Sequence, residues 1–401
     1  MVIVNSPLEA RSRKTALALS EIADVTILDF FRSSKRESWE GQPFKLRYGD
    51  PIGIGGSEHR IWVLKVGFNL TIYPILKKLF SKRVGVFGEN VVYRTLMEEC
   101  PDAIISVNAN TLKPCGRAAE DLGAALIYDA YEYWPEHRLE SAVALTDIER
   151  AVIDEVERAY MEDADVTITV SPELAHEYQK LYGLTRTPIV TYNIPLDHVD
   201  KARLVNTPPR FIFIGNFQIA RNIEMIFKAA AVTDGIDMTF QGSGVLGSWL
   251  ETQIKDHKVS DRIQVNDPVP YEQLIESASF FDIGIIAHEA YNMQIDGSLP
   301  NKFFEYLSAG LALIVPPTTA FKNFPGIEEF AYILEDTSVD AVSRAIESLA
   351  SDPTRITAMK KAAIEVAHQY NYENHARVIQ DAFLDMMDER SSRADELQEA
   401  R

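Results

Sequence analysis

Short apolar runs alternate with amphipathic segments through the second half of the chain, and this alternation strongly constrains the fold. The runs are Phe211–Ile214, Met238–Phe240, Ile263–Val265, Ile283–Ile286, Ala312–Val315 and Tyr332–Leu334. Each is too short for a helix that buries a face and is bounded by Gly, Pro, Asp or Asn, which predicts buried strands. Strands that alternate with helices form a parallel sheet covered on both faces. Residues from about 208 to 370 therefore predict a doubly wound α/β domain.

The first half repeats this pattern less regularly, and its length of nearly 200 residues suits a second domain. The predicted strands are Val2–Val4, Val25–Leu28, Ala103–Val107, Ala125–Tyr128 and Val166–Val170, with a helix at about Glu9–Ile22 after the first. We expect a first Rossmann-like domain over residues 1–195, a proline-containing linker over 196–209 and the second domain over 210–372. The charged residues 388–401 predict a frayed polar tail.

Composition excludes several classes of protein. The formal net charge is −19, which argues against a general nucleic-acid binder but leaves room for a small basic pocket for one phosphorylated ligand. Two cysteines cannot form a disulfide framework, and the eight histidines show no HExxH or His–Asp spacing typical of a metal site. We therefore expect no metal and no cofactor.

The chain shows no signal peptide and no membrane span, so we expect a cytoplasmic protein. The apolar segment Leu70–Phe80 precedes Lys82 and Arg83. This segment has two interpretations, a packed crossover helix or a surface that contacts a membrane peripherally.

A glycine pattern from Gly242 through Gly244 to Gly247, with Asp267 farther on, has the spacing of a dinucleotide-binding fingerprint. The fingerprint normally follows the first strand of its domain, whereas a strand and a helix come before this one. The pattern therefore favours a close approach of backbone amides to a bound group over a nicotinamide or flavin site.

Two helix starts in the second half carry cations. Arg221 follows the strand that ends at Gly215 and Asn216, and Lys302 follows Ser298-Leu299-Pro300-Asn301. Free amides at a helix start attract anions, and Arg and Lys add donors, which predicts phosphate binding. Glu305 lies three residues after Lys302, so its carboxylate could accept hydrogen bonds from neighbouring ribose hydroxyls. The alternatives are a surface arginine and an ordinary Lys–Glu surface pair.

The order and spacing of these features resemble the retaining glycosyltransferases of family 4. In the second half, the resemblance rests on Gly215 to Arg221, the glycines from Gly242, Val269-Pro270-Tyr271, Asp282 and the segment PNKFFEYLSAG that ends at Gly310. In the first half, it rests on Asp129-Ala-Tyr131-Glu132, Val170-Ser171-Pro-Glu-Leu and Tyr192-Asn193-Ile194-Pro195. The resemblance implies a GT-B fold, in which two Rossmann-like domains face a central cleft and a last helix, at about 373–390, returns to the first domain.

The resemblance also implies roles for individual residues. Glu305 would hold the ribose of a nucleotide-diphosphate sugar, while Arg221 and Lys302 would act catalytically by neutralising the departing diphosphate. The other implied donor-binding residues are Gly215, Asn216, Gly242, Gly244, Ser298, Leu299, Pro300 and Asn301. The implied sugar or acceptor contacts are Asp129, Tyr131, Glu132 and Trp134.

The chain departs from the family pattern at several positions. Gly297 stands where the first acid of a paired-glutamate motif would lie, and Tyr131 replaces a histidine that would contact the donor sugar. Arg221 and Asn216 stand where many members carry Lys and Arg. These departures leave the identity or the orientation of the sugar open.

The expected function is a metal-independent retaining glycosyltransferase that acts on a sugar, glycolipid or other hydroxyl acceptor, with a role in polysaccharide or glycoconjugate synthesis. Two alternatives remain, a nucleotide-sugar epimerase of the same fold and a non-catalytic subunit that binds a nucleotide sugar for a partner enzyme.

Overall fold

A computed structural model of the chain describes residues 1–5, 10–30, 41–48, 89–136 and 147–399. These residues form two parallel sheets, each covered by helices. The segment Leu70–Phe80 lies outside the described residues. Among the residues described, no helix combines the length and the apolar surface that crossing a bilayer requires.

The first domain contains a sheet with the strand order β3-β2-β1-β4-β5-β6-β7. Its strands are β1 (Val2–Val4), β2 (Thr26–Asp29), β3 (Lys45–Tyr48), β4 (Ala103–Val107), β5 (Ala125–Asp129), β6 (Val166–Thr169) and β7 (Ile189–Val190). Its helices are α1 (Ala10–Leu19), α2 (Glu89–Glu99), α3 (Ala109–Leu122), α4 (Asp147–Tyr160) and α5 (Pro172–Tyr182). All described pairs of neighbouring strands are parallel.

The second domain contains a sheet with the order β10-β9-β8-β11-β12-β13. Its strands are β8 (Arg210–Asn216), β9 (Asp237–Ser243), β10 (Ile263–Asn266), β11 (Ile283–Ile285), β12 (Ala312–Val315) and β13 (Ala331–Ile333). Its helices are α6 (Ile223–Val232), α7 (Gly247–Asp256), α8 (Tyr271–Ala278), α9 (Met293–Asp296), α10 (Asn301–Ser308), α11 (Thr319–Asn323), α12 (Ile327–Phe330), α13 (Val339–Ala350) and α14 (Pro353–Gln369). The final helix α15 (Tyr372–Glu399) follows.

The apolar runs form the strands that their pattern predicts, with end points that agree within three residues. Val2–Val4, Ala103–Val107 and Ala312–Val315 match the structure at both ends. The pattern misses the edge strands β3 and β7. The middle residues of β3 and both residues of β7 are only half-buried, so neither strand carries the continuous apolar run of a central strand.

A buried ion pair fastens the end of the linker to the second domain. The Lys360 ammonium donates to Asp282 at 2.9 Å, and neither side chain exposes more than 1% of its surface. The same carboxylate accepts from the backbone amides of Asn206 at 3.1 Å and Arg210 at 2.9 Å. Because the ion pair also satisfies these amides, Asp282 fixes the point at which the linker becomes β8.

Helix α15 returns to the first domain and packs against α1. The Tyr372 hydroxyl donates to the carbonyl of Lys14 at 3.2 Å, and the Gln380 amide donates to that of Ala18 at 2.8 Å. Ile379 and Met386 are buried in the core of the first domain. This helix therefore completes a domain whose other described elements all precede the linker.

The prediction of a frayed tail over residues 388–401 is wrong for most of that range, because α15 continues to Glu399. Arg390 binds Asp165 of the first domain at 2.8 Å, and Arg186 binds Glu389 at 2.9 Å. Arg393 also pairs with Glu389 one turn away. The charges that suggested a disordered tail thus form ion pairs within the helix and with its neighbours.

Candidate functional site

A cavity of about 630 Å³ lies between the carboxyl ends of the two sheets. Its walls include segments that directly follow β5, β6, β7, β8 and β11. In each sheet the strand order reverses at the first strand of its domain, β1 or β8. Ligands of open parallel sheets bind at such reversal points. The fold therefore places the cavity where both sheets favour ligand binding.

The end of β8 and the loop that follows it, together called the β8 loop, form part of the second domain's wall of the cavity. Gly215 has a φ of 136°, a conformation that favours glycine, and both Gly215 and Asn216 line the cavity. The amide of Ile214 donates to the hydroxyl of Tyr306 at 2.9 Å, which ties the strand end to α10. This contact fixes the position of the β8 loop relative to α10.

Gly242 and Gly244 lie behind that loop and are not among the residues that line the cavity. A Cβ atom at Gly242 would stand 1.9 Å from the carbonyl oxygen of Gly215, and one at Gly244 would stand 2.7 Å from the backbone of Phe217. The glycine pattern therefore allows β9 to approach the β8 loop. Gly242 and Gly244 thus support the backbone of Gly215 and Asn216. The contact of Gly242 and Gly244 with the donor remains a prediction.

Helix α10 presents Lys302 and Glu305 to the cavity. The helix begins after Pro300, whose side chain offers no hydrogen bond to the first amides of the helix. The Lys302 ammonium lies 4.0 Å from the centre of the Phe213 ring, beside Gly215, where a Cβ atom would meet it at 3.4 Å. Burial raises the pKa of Glu305, and the charges of Lys302 and Lys14 oppose this effect.

Arg221 lines the cavity at the end of a short 3₁₀ turn (Ile219–Arg221). His288, which follows β11, is buried and faces the same space. Burial, together with the charges of Arg221 and Lys302, lowers the pKa of His288 to about 3. The second domain's wall thus places a neutral imidazole beside two cations.

The segment before α10 contributes the four predicted residues Ser298, Leu299, Pro300 and Asn301, all of which line the cavity. The preceding residue, Gly297, contacts the first domain, because the Ser171 hydroxyl donates to its carbonyl. A Cβ atom at Gly297 would lie 2.9 Å from the carbonyl oxygen of Met293 and 3.3 Å from Cβ of Glu173. Crowding by Met293 of the same domain, and to a smaller extent by Glu173 of the first domain, therefore disfavours the glutamate of the family pattern at this position.

The first domain's wall rests on a buried ion pair that the sequence did not reveal. The Arg11 guanidinium donates to both carboxylate oxygens of Asp129 at 2.7 Å, and also to the carbonyl and hydroxyl of Thr191. Arg11 lines the cavity, whereas Asp129 does not. Asp129, an implied sugar or acceptor contact, is 3% exposed and orients Arg11. Its contact with a ligand remains a prediction.

Tyr131 and Glu132, two of the predicted contacts, line the cavity above this pair. The Asn108 amide donates to the Glu132 carboxylate at 3.1 Å, and the Tyr178 hydroxyl donates to the Glu132 carbonyl at 2.8 Å. Trp134 is buried with its indole N–H donating to Asn108, and it is not among the residues that line the cavity. Trp134 therefore supports Asn108, and its contact with a ligand remains a prediction.

The cavity residues that were missed or undervalued in the sequence include Arg11, Asn193, His288 and Gln294. Asn193 was noted only as part of the motif before the linker, yet its Oδ1 atom is buried with no hydrogen-bond partner among the residues described. The Gln294 side chain accepts from the amide of Tyr133 across the cleft. A polar residue just after the predicted strand Ile283–Ile286 was the available signal for His288. Asn193 follows β7, which the pattern missed, while Arg11 and Gln294 lie within helices.

The histidine spacing predicted no metal ligands, but the fold brings together His198, Asp200 and His368. Their ligand atoms all lie within 4.8 Å of one another, in a search of the described residues. The two histidines come from the linker and from the end of α14, so sequence spacing could not reveal the cluster.

Comparison with known proteins agrees with this geometry. Residues 221–381 match the family profile described as "Glycosyl transferase-like", a range that covers less than half of the chain. No curated protein matches the sequence.

Several solved structures share the fold along almost the whole chain. HepE from Anabaena, crystallised with UDP, superposes with a TM-score of 0.71 at 12% identity, covering 96% of this chain and 99% of its own. Sucrose-phosphate synthase from Thermosynechococcus elongatus gives 0.70 at 14% identity, with 96% and 98% covered. The lipopolysaccharide outer core galactosyltransferase WaaB gives 0.62 at 12% identity, with 96% and 99% covered. These neighbours identify the fold as GT-B.

Proposed function

We propose that this protein is a retaining, metal-independent glycosyltransferase that moves a sugar from a nucleotide-diphosphate sugar to a hydroxyl acceptor. One observation carries the proposal: Arg221, Lys302 and the uncapped start of α10 share one wall of the cleft with Glu305. Cations and free amides suit a diphosphate, and a carboxylate one turn away suits the ribose hydroxyls.

The chemistry follows from that charge arrangement. The bond between the sugar carbon and the phosphate oxygen breaks, and the departing diphosphate gains negative charge. Arg221 and Lys302 stabilise this charge most strongly in the transition state. The acceptor hydroxyl attacks from the same face, and its proton passes to the departing phosphate oxygen. His288, neutral because burial lowers its pKa to about 3, contributes no competing charge.

The acceptor would approach from the first domain's wall, where Tyr131 and Glu132 line the cavity beside Arg11. Tyr131 takes the place of the family histidine, so we assign it to the contact that orients the donor sugar. A role in polysaccharide or glycoconjugate synthesis follows from the hydroxyl acceptor and is part of the same proposal.

A panel of nucleotide-diphosphate sugars tests the proposal in two stages. The thermal unfolding temperature should rise with the correct donor, because a ligand that binds the folded state stabilises it by mass action. NMR of the reaction with this donor should then show a transferred sugar with the donor's anomeric configuration. Release of a sugar isomer without an acceptor would support an epimerase, and binding without turnover would support a non-catalytic subunit.

Metal independence has its own measurement. Because the proposed mechanism stabilises the diphosphate with side chains, turnover should be unchanged within about twofold in excess EDTA. Loss of activity that Mn²⁺ restores would contradict the leaving-group chemistry.

A further inference from the structure

The histidine–aspartate cluster lies outside the cleft, at the place where the chain passes between the domains. His198 and Asp200 belong to the linker, whereas His368 lies in the last turn of α14. None of the three lines the cavity. The two histidine rings meet edge to face, with centres 5.3 Å apart.

Both chain crossings between the domains meet at this cluster. The first is the linker, where the amide of Val199, between the two linker ligands, donates to the carbonyl of Ser308 at 2.8 Å. The second is the turn between α14 and α15, where the Tyr370 ring lies 5.8 Å from that of Tyr192. Contacts on both sides of the cluster thus hold its backbone while its side chains lie at the surface.

The donor set has a definite chemical preference. Two imidazoles and one carboxylate are ligands of Zn²⁺ and related divalent transition metals, whereas Mg²⁺ and Ca²⁺ prefer oxygen ligands alone. His368 lies at the C-terminal end of its helix, where the helix dipole favours a positive charge. The separation of at most 4.8 Å allows the three atoms to converge on one ion through small side-chain rotations.

We propose that His198, Asp200 and His368 form a binding site for a divalent transition metal, with Zn²⁺ as its representative ion. A water molecule would complete the tetrahedral coordination. The bound ion would join the linker to the end of α14. It would thereby connect the two segments of chain that pass between the domains. The site is separate from the proposed transfer reaction and does not depend on it.

Zn²⁺ titration of the full chain, freed of metal by EDTA and exchanged into metal-free buffer, tests the site. Calorimetry should show one Zn²⁺ per chain with His198→Gln and His368→Gln each weakening binding at least about tenfold. Asp200→Asn should weaken it less, since an amide oxygen remains. His257→Gln is the matched control, because His257 also lies at a helix end but its ring contacts the carbonyl of Gln253.

Two further measurements make the test decisive. Unfolding temperatures in EDTA should be equal for all variants, because the altered side chains are largely exposed, and Zn²⁺ should raise the temperature only where the site is intact. The EPR spectrum of the Cu²⁺-loaded chain should show coupling to two imidazole nitrogens. Zn²⁺ affinity in the His198→Gln/His368→Gln double variant within twofold of the parent protein would overturn the proposal.

Discussion

The two walls of the cleft differ in how their charged residues are held. In the second domain, Arg221, Lys302 and Glu305 come from a strand–helix junction and the first turns of one helix, and all three face the cavity. In the first domain, Arg11 faces the cavity, but its partner Asp129 comes from a strand more than 100 residues away and is buried behind it.

This difference separates two ways of building a charged site. Local backbone geometry places the second domain's cations, and their side chains line the cavity. The first domain's cation is placed by a buried partner, which makes the wall part of the folded core. We therefore expect substitutions in the second domain to affect catalysis and substitutions in the first domain to affect stability.

The largest effect should come from Asp129→Asn. Removing the carboxylate leaves the guanidinium of Arg11 buried without its counter-charge, which typically costs about 3–5 kcal/mol of unfolding free energy. Urea denaturation measures this loss. Asp154→Asn is the control, because Asp154 forms an exposed pair with Arg158 at 3.4 Å and should cost less than about 1 kcal/mol. Equal losses in the two variants would show that the Arg11–Asp129 pair is not structural.

On the opposite wall, Lys302→Ala and Arg221→Ala should each lower kcat about 10²- to 10³-fold with the fold intact. The two effects should add incompletely, since both cations act on one diphosphate. Steady-state kinetics measures kcat, and Lys228→Ala, which alters an exposed lysine near Glu224, should leave it unchanged. If both active-site variants kept near-normal kcat, the diphosphate assignment would be wrong.

A buried carboxyl group in the first domain also predicts an effect of pH on stability. Glu157 is buried, accepts hydrogen bonds from Tyr128 at 2.6 Å and Tyr182 at 2.9 Å, and burial raises its pKa from 4.5 to about 7. Because the pKa of Glu157 is higher in the folded than in the unfolded state, protonation of Glu157 stabilises the fold. This contribution is fully present below pH 4.5 and is lost as the pH rises through 7.

Relative to Glu157→Gln, the natural protein should therefore lose about 3 kcal/mol of unfolding free energy between pH 4.5 and pH 8. Urea denaturation across this range measures the difference. Glu251→Gln, at an exposed position in α7, is the control and should show no such trend. A difference that does not vary with pH would show that Glu157 is charged throughout.

The smallest of these effects is on binding. Glu305→Gln should weaken binding of the donor's nucleoside diphosphate by about 1.5–3 kcal/mol, the range for hydrogen bonds to a charged group. The 2′,3′-dideoxy analogue should bind the natural protein more weakly than the nucleotide with both hydroxyls does. The variant should bind the two nucleotides about equally well. Calorimetry provides both values, with the exposed Glu276→Gln as control. If removal of the ribose hydroxyls from the nucleotide weakened its binding equally to the natural protein and to the variant, the ribose would lie elsewhere.

The sequence predicted the charged residues of the second domain's wall better than those of the first domain's wall. Periodicity located the central strands, and local motifs placed Arg221, Lys302, Glu305 and the Ser298–Asn301 segment at the cavity. Arg11 and the cluster around His198 depend on residues far apart in the chain, and no local pattern records such pairs. Gly242 and Gly244 show a second effect of chain packing, since these glycines allow the close approach of β9 to the backbone of Gly215 and Phe217.

The return of α15 to the first domain has a consequence for synthesis on the ribosome. Ile379 and Met386 belong to the core beneath β1, but they emerge only after the entire second domain has been made. Until then, the apolar surface that they cover faces solvent or a chaperone. The second domain can complete its own sheet and core earlier, since α15 contributes no strand to it. The part of the protein that is translated first is therefore the part that finishes folding last.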